Sequence, residues 1–215
     1  LKEPFVKSSK DLAQRLLPVV AAHLLDTPYM VVAHSVGTWN AFEFLMHARA
    51  EGVPMPMKAF LSGFPGPDIP FNDRPWQQQH KLQEHDFKDE CREWDINSVI
   101  FSEGMWPMYQ PILRADFTLF DQYEFSHEEA PRFDFPIVAF WGSRDRRVNQ
   151  DMVERWSKFT SAAFTCLKIE GAACPLNISR MSLHSLKATR QLKLCALLQQ
   201  ETTYGLLRRR PKMFG

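Results

Sequence analysis

Ser35 lies in a five-residue pattern, Ala33-His34-Ser35-Val36-Gly37, that is typical of a nucleophilic serine. The pattern falls between an apolar run, Tyr29–Ala33, and a segment of helical character, and a sharp turn there would expose the serine hydroxyl. Because neighbouring strands crowd such a turn, small residues are needed two positions before and after the serine, and Ala33 and Gly37 meet that need. The alternative is that Ser35 caps the following helix, which requires no catalysis.

A nucleophilic serine needs a histidine to take its proton and an acid to orient that histidine. Asp145 is the candidate acid because it lies in a polar turn directly after the apolar run Pro136–Trp141. An aspartate here could instead cap the helix predicted from Asp151, or pair with Arg146.

Three other polar residues are weaker candidates for these roles. Asp121 and Asp134 precede the apolar run that leads to the candidate acid turn. His34 is adjacent to Ser35, and adjacent side chains at a sharp turn point in divergent directions. We therefore expect His34 to support the turn or contact substrate rather than act as the base.

The elements that must position these residues alternate between helix and strand. The apolar spacing predicts a helix over Ser9–Leu25 with Ser9 as its cap, and a second helix at about 35–51. The predicted strands are Tyr29–Ala33, Met57–Ser62, Pro136–Trp141 and Phe164–Ile169, with a helix at Asp151–Phe159 before the last. This alternation predicts a parallel sheet covered by helices.

Two segments depart from the alternation. Residues 73–125 are charged and aromatic-rich, with helical segments predicted at Trp76–Glu93, Ile96–Phe101 and Met108–Tyr123. A segment this long between two strands predicts a functional insertion, often a lid. Beyond Gly171 the composition changes to a mixture of Leu, Lys, Arg, Gln and Ser, in which Leu183–Leu198 could form a helix.

Composition and charge exclude several classes of protein. With 215 residues, 45% of them hydrophobic and 24% charged, the chain fits one globular domain. A net charge of +1 provides no field for nucleic acid or an anionic membrane, and no apolar run approaches the roughly 20 residues of a membrane helix. The scattered cysteines, Cys91, Cys166, Cys174 and Cys195, predict reduced thiols rather than a zinc site or disulfide framework. No metal or cofactor is implied.

Four segments, in order, resemble motifs of the type II (stand-alone) thioesterases of polyketide, nonribosomal-peptide and fatty-acid synthesis, within the α/β-hydrolase superfamily. Residues 33–43 resemble their G-H-S-M-G-x-x-x-A-F-E segment. The other three are Leu61-Ser62-Gly63 with following prolines, Leu113-Arg114-Ala115-Asp116-Phe117 with Tyr123, and Gly142-x-x-Asp145-x-x-Val148 with Trp156.

The resemblance implies an α/β-hydrolase fold over residues 1–171, a mostly parallel sheet flanked by helices, with a helical lid insertion at about 73–125 and a divergent tail at 172–215. It assigns Ser35 as nucleophile, Asp145 as acid and the Val36 backbone N–H as one oxyanion donor. The implied reaction is hydrolysis of acyl thioesters from the phosphopantetheine arm of acyl or peptidyl carrier proteins, in the cytoplasm and without a cofactor. It also suggests an acyl channel, although ordinary core packing explains the same residues: Met105, Trp106, Met108, Tyr109 and Phe117.

The sequence departs from the family in two places. The family's N-terminal strands, with the loop that carries a second oxyanion donor, would precede Leu1. Ala173 stands where the family has its catalytic histidine, and His184 follows later in an unfamiliar setting. We hypothesise that the tail is translated in a shifted frame or spliced from elsewhere. Two further functions therefore stay open: a non-catalytic hydrolase-like binding module, and an esterase of small or lipid esters.

Overall fold

A five-stranded parallel sheet forms the centre of the molecule. The computed structural model describes residues 4–94 and 96–171 and the backbone of 193–198. The strands are β1 (Tyr29–His34), β2 (Lys58–Ser62), β3 (Ile137–Gly142), β4 (Phe164–Ile169) and β5 (Lys193–Leu198). Their spatial order is β4-β3-β2-β1-β5, and every neighbouring pair is parallel. The predicted parallel sheet is confirmed.

Five α-helices accompany the sheet in the part of the chain that the structure describes. They are α1 (Ser9–Leu25), α2 (Gly37–Ala50), α3 (Glu84–Glu93), α4 (Trp106–Asp121) and α5 (Gln150–Glu154). Shorter 3-10 turns lie at Phe71–Asp73, Gln79–Lys81, Ser98–Phe101 and Arg155–Phe159. None of the described helices is long and apolar enough to cross a bilayer.

Helix α1 begins as predicted but is capped one residue earlier. The Ser8 hydroxyl accepts a 3.1 Å hydrogen bond from the backbone N–H of Asp11, so Ser8 is the N-cap. Ser9 is buried in the first turn instead. The prediction of Ser9 was wrong because two adjacent serines offer the same side chain, and only backbone geometry decides which one reaches back to the helix.

Two predicted helices are broken in the structure. The segment predicted as helical from Trp76 to Glu93 is a 3-10 turn at Gln79–Lys81 followed by α3. The helix predicted over Asp151–Phe159 changes after Glu154 to a 3-10 turn. In that turn the buried Trp156 indole N–H donates a 3.1 Å hydrogen bond to the carbonyl of Phe64, so tertiary contact determines the conformation.

The tail contributes a strand where a helix was predicted. Lys193–Leu198 forms β5, which pairs in parallel with β1 from Tyr29 to Ala33. The helix predicted over Leu183–Leu198 is therefore wrong for its last six residues, because a partner strand satisfies their backbone groups. Residues 183–192 lie outside the described residues.

Residues 73–125, here called the helical insertion, lie between β2 and β3 in the chain and contain α3 and α4. Arg74 ties the beginning of the insertion to its end, since its guanidinium donates hydrogen bonds of 3.0 Å to the Phe120 carbonyl and 2.8 Å to the Tyr123 carbonyl. These carbonyls belong to the last turn of α4 and the residues after it, which lack acceptor partners within the helix. These hydrogen bonds hold the two ends of the insertion together.

An aromatic cluster seats the insertion on the sheet domain. Trp76 is stacked on Phe64 at 5.2 Å between ring centroids, and it lies 6.0 Å from Trp39 of α2. Trp94, which directly follows α3, and Phe120 of α4 complete the cluster, with their ring centroids 5.8 Å apart. Such pairs contribute beyond the apolar area that they bury.

Candidate active site

The backbone at Ser35 is held in a left-handed conformation. Within residues 4–94 and 96–171, Ser35 is the one non-glycine residue with a positive φ, at 52°. Its N–H donates a 2.9 Å hydrogen bond to the Ser62 carbonyl at the end of β2, and its carbonyl accepts from the N–H and hydroxyl of Thr38. A strained backbone that is held by hydrogen bonds to β2 and to the first turn of α2 is the geometry expected of a nucleophile at a strand-to-helix turn.

Val36, not Ser35, is the N-cap residue of α2, and its side chain makes no capping hydrogen bond. The interpretation of Ser35 as a capping serine is therefore wrong. The first N–H groups of a helix have no acceptor within the helix. The Val36 N–H thus lies at a helix N-terminus, next to the half-buried Ser35, where a developing negative charge would be stabilised.

His34 supports this turn from the last position of β1. It lies opposite Ser62 in the strand register, and its Nδ1 is 3.2 Å from the Ser62 hydroxyl. Burial lowers the pKa of His34 to about 4, although hydrogen bonding to Ser62 opposes the effect. A group of this basicity is neutral at pH 7 and a poor general base, which agrees with the supporting role expected of it.

The Asp145 carboxylate is held by its own turn. Its Oδ1 accepts hydrogen bonds of 2.9 Å from the backbone N–H groups of Arg147 and Val148, and its own N–H donates to the Gly142 carbonyl at the end of β3. The helix that follows is capped by Asn149, whose side chain accepts from the Met152 N–H. The alternative in which Asp145 caps that helix is therefore wrong.

Ser35 and Asp145 follow parallel strands that are both neighbours of β2. Ser35 follows β1, and Asp145 follows β3. Parallel strands present their carboxyl ends at the same edge of a sheet, and two strands separated by a third lie about 10 Å apart. An imidazole that contacts both side chains fits this span, as a serine–histidine–acid triad requires.

The two weaker acid candidates lie elsewhere. Asp121 is buried at the end of α4, where its Oδ2 accepts a 2.8 Å hydrogen bond from the His80 N–H. Asp134 is exposed and precedes β3, at the opposite edge of the sheet from Ser35. Of the aspartates considered, Asp145 is the one that follows a strand at the carboxyl edge.

Comparison with known proteins identifies the family. A family model described as a thioesterase domain matches residues 1–183. The chain belongs to the thioesterase domain family.

The thioesterase relatives include both characterised sequences and solved structures. The gramicidin S biosynthesis protein GrsT of Aneurinibacillus migulanus is 29% identical over 163 residues, which cover 74% of this chain and 62% of GrsT. ClbQ from the colibactin NRPS/PKS pathway superposes with a TM-score of 0.72 at 26% identity, covering 80% of this chain and 71% of ClbQ. The type II thioesterase YbtT from the yersiniabactin NRPS/PKS pathway gives 0.68 at 25%, covering 77% and 66%.

These similarities confirm the type II thioesterase resemblance and the α/β-hydrolase fold predicted from the four motifs. The superpositions cover about four fifths of the chain, including a parallel sheet flanked by helices. The chain spans about three fifths of the length of the curated relatives that it matches.

The catalytic base of this thioesterase domain is the component that the described residues do not supply. Ala173 and His184 lie outside the described residues. Two of the histidines that the structure describes contact a buried carboxylate, His127 with Nε2 3.0 Å from Glu43 Oε2 and His80 with Nδ1 3.1 Å from Asp121 Oδ2, at the end of α4. Glu43 is two helical turns beyond Ser35, about 12 Å along α2, so this pair is not placed to serve the nucleophile.

Glu43 and Tyr123 were noted in the sequence only as members of two separate motifs. The structure brings them into contact, since the Tyr123 hydroxyl donates a 2.7 Å hydrogen bond to Glu43 Oε1. Both side chains are buried. Their joint presence in two motifs is a signal that could have predicted the contact.

The acyl-channel residues divide between core and surface. Trp106 and Phe117 are buried against Phe87, with ring centroids 6.0 and 5.4 Å away, as the core-packing alternative predicts. Met108 is 60% exposed. Among the described residues, no group of His, Cys, Asp and Glu could hold a metal ion.

Proposed function

We propose that this chain is a serine thioesterase that hydrolyses acyl groups from the phosphopantetheine arm of an acyl or peptidyl carrier protein. The observation that carries the proposal is the positive φ of Ser35 at the turn between β1 and α2, in a chain of the thioesterase family. The NRPS/PKS pathways named for ClbQ and YbtT support a carrier-bound substrate.

In the proposed reaction, the Ser35 hydroxyl attacks the thioester carbonyl and the Val36 N–H donates to the resulting oxyanion. The bond between the carbonyl carbon and sulfur breaks, and the thiol of the carrier arm leaves with a proton. Water then hydrolyses the acyl-serine ester and restores the hydroxyl. In this proposal Asp145 orients the imidazole that transfers these protons, and the candidate for it outside the described residues is His184.

The helical insertion acts as the lid over this site. It is attached to α2 through Glu43 and Tyr123, and its Trp76 stacks on Phe64, which follows β2 at the carboxyl edge of the sheet. Cys91 and Cys166 are free thiols, and burial raises the pKa of Cys91 to about 12. Unpaired thiols suit a reducing compartment, and we include a cytoplasmic location in the proposal.

Labelling with a fluorophosphonate probe tests the nucleophile. We expect stoichiometric labelling that is lost in Ser35→Ala and retained in Ser102→Ala, a control at an exposed serine of the insertion. Labelling that survives in Ser35→Ala would contradict the assignment of Ser35. Complete absence of labelling would instead favour the non-catalytic binding module, which the alanine at position 173 supports.

Substrate comparison tests the reaction. We expect a higher kcat/KM for an acyl group on a phosphopantetheinylated carrier protein than for a p-nitrophenyl ester of the same acyl chain. The reverse preference would support the small-ester esterase. In Asp145→Asn we expect kcat to fall by about 10³-fold or more, as for other triads.

A further inference from the structure

Two arginines join the turn that carries Asp145 to the helical insertion, and the less exposed of them is Arg147. Its Nη1 lies 2.7 Å from Glu90 Oε1 on α3 and donates a 3.1 Å hydrogen bond to the Pro75 carbonyl. The guanidinium also lies over the Trp94 ring, 4.9 Å from its centroid. Arg147 therefore contacts the insertion at its beginning and along α3.

The backbone of the same residue holds the acid. The Arg147 N–H donates to Asp145 Oδ1 at 2.9 Å, and the Val148 N–H donates to the same oxygen at the same distance. The N–H and the side chain of Arg147 share one Cα atom. Because the guanidinium is held at Glu90, Pro75 and Trp94, a displacement of α3 would act on the backbone of the turn that fixes the carboxylate.

Burial distinguishes this ion pair from a neighbouring one. The side chains of Arg147 and Glu90 are 16% and 12% exposed, whereas those of Arg146 and Glu93 are 60% and 58% exposed, with Nη1 and Oε2 3.3 Å apart. Exposed pairs contribute little, but removing one member of a shielded pair leaves the other charge uncompensated. The chain thus offers a matched control one residue away along the same turn.

We propose that Arg147 is a positioning residue that couples the placement of the helical insertion to the orientation of the Asp145 carboxylate. When α3 is seated against the turn, the carboxylate is fixed. When α3 is displaced, the Arg147 N–H loses its direction and the acid is no longer aligned. The catalytic consequence rests on the proposed thioesterase function, whereas the mechanical coupling does not.

Amide hydrogen exchange measures this coupling without any need for activity. Glu90→Gln changes only the insertion, yet we expect exchange of the Arg147 and Val148 N–H groups to accelerate about tenfold. In the control Glu93→Gln, we expect these rates to stay within about twofold of the parent. Unchanged exchange at Arg147 and Val148 in Glu90→Gln would overturn the proposal.

One further measurement and one further variant protect the test against a simple loss of folding. The amides of Ala59 and Ile137, which bond across the sheet, must stay as protected as in the parent protein. The exchanged pair Glu90→Arg with Arg147→Glu restores opposite charges, and we expect it to recover most of the protection lost in Glu90→Gln. A uniform rise in exchange that the exchanged pair does not reverse would show a general stability effect and overturn the coupling.

Kinetics on the full chain separates positioning from structural support. If the acid is misaligned, kcat for thioester hydrolysis falls about tenfold in Glu90→Gln with KM changed by less than about twofold, because the loss is confined to the chemical step. A rise in KM with kcat unchanged would contradict the proposal. Absence of activity in the parent protein would defeat the proposed function, while the exchange experiment would still decide the coupling.

Discussion

The hydroxyl of Tyr123 and the carboxylate of Glu43 are joined by a 2.7 Å hydrogen bond that links the end of the helical insertion to the helix after the nucleophile. His127 Nε2 approaches the same carboxylate at 3.0 Å. Burial, and then the negative charge of Glu43, raise the pKa of Tyr123 far above its ordinary value. The phenol is therefore protonated at neutral pH and donates this hydrogen bond.

Tyr123→Phe should destabilise the protein by about 1–3 kcal/mol, because it removes the shorter of the two hydrogen-bond contacts of a buried carboxylate oxygen, Glu43 Oε1. Urea-induced unfolding measures the difference. Tyr109→Phe removes a hydroxyl from a half-buried position in the same insertion and serves as the control, with an expected change within about 0.5 kcal/mol. Equal losses in the two variants would contradict the importance of the contact with Glu43.

The backbone strain at Ser35 predicts an unusual order of stabilities. At a φ of 52°, glycine carries no steric penalty, so Ser35→Gly should be more stable than Ser35→Ala by about 1 kcal/mol. At Ser102, whose φ is −67°, the order should be reversed, with alanine at least as stable as glycine. Thermal unfolding of the four variants provides the measurement. Alanine equal to or better than glycine at position 35 would show that the turn is unstrained.

Asp116 predicts a loss of stability as the pH rises. Burial raises the pKa of this carboxyl from 3.8 to about 7. Its stabilising contribution is fully present below the unfolded-state pKa and is lost as the pH rises through the folded-state value, since the unfolded chain releases the proton first. Asp116→Asn should therefore gain stability over the parent protein, by about 1–3 kcal/mol at pH 8 and by less at pH 5.

Urea unfolding at the two pH values, with the exposed Asp134→Asn as control, measures this dependence. Because other titrating groups are common to all the proteins, the difference between variant and parent isolates Asp116. A gain that is the same at pH 5 and pH 8 would mean that the carboxyl does not titrate between them.

His34 predicts the opposite dependence. Burial lowers its pKa from 6.5 to about 4, so its contribution to stability is present above the unfolded-state value and is lost as the pH falls toward 4. NMR titration of the histidine ring signals should show His34 neutral at pH 6. His34→Gln should weaken the acid dependence of unfolding between pH 6.5 and pH 4. A ring that is charged at pH 6 would contradict the burial that the structure shows.

Much of the sheet and the nucleophile turn could be predicted from the sequence because their signals are local. The apolar run Tyr29–Ala33 followed by small residues around Ser35 specifies a buried strand and a tight turn. The bounds of β4 agree with the prediction over Phe164–Ile169. The choice between Ser8 and Ser9 as cap depended on local backbone geometry, and the strand β5 in place of a helix depended on pairing with the distant β1.

The supports of the candidate site could not be predicted for the same reason. Glu90 and Arg147 are separated by more than fifty residues, and neither lies in a pattern that indicates an ion pair. The hydrogen bond of His34 to Ser62 depends on the register between β1 and β2, which the strand patterns alone do not determine. Long-range polar pairs of this kind are specified by tertiary packing rather than by periodicity.

The tryptophans around Phe64 give the protein a built-in optical probe. Trp76 and Trp94 belong to the helical insertion, whereas Trp39 belongs to α2, and all three lie in one ring cluster. The emission wavelength of an indole depends on its access to water. Displacement of the insertion should therefore shift the tryptophan emission, and no attached dye is needed. Occupancy by a carrier or a small molecule could be followed on the unmodified polypeptide in real time.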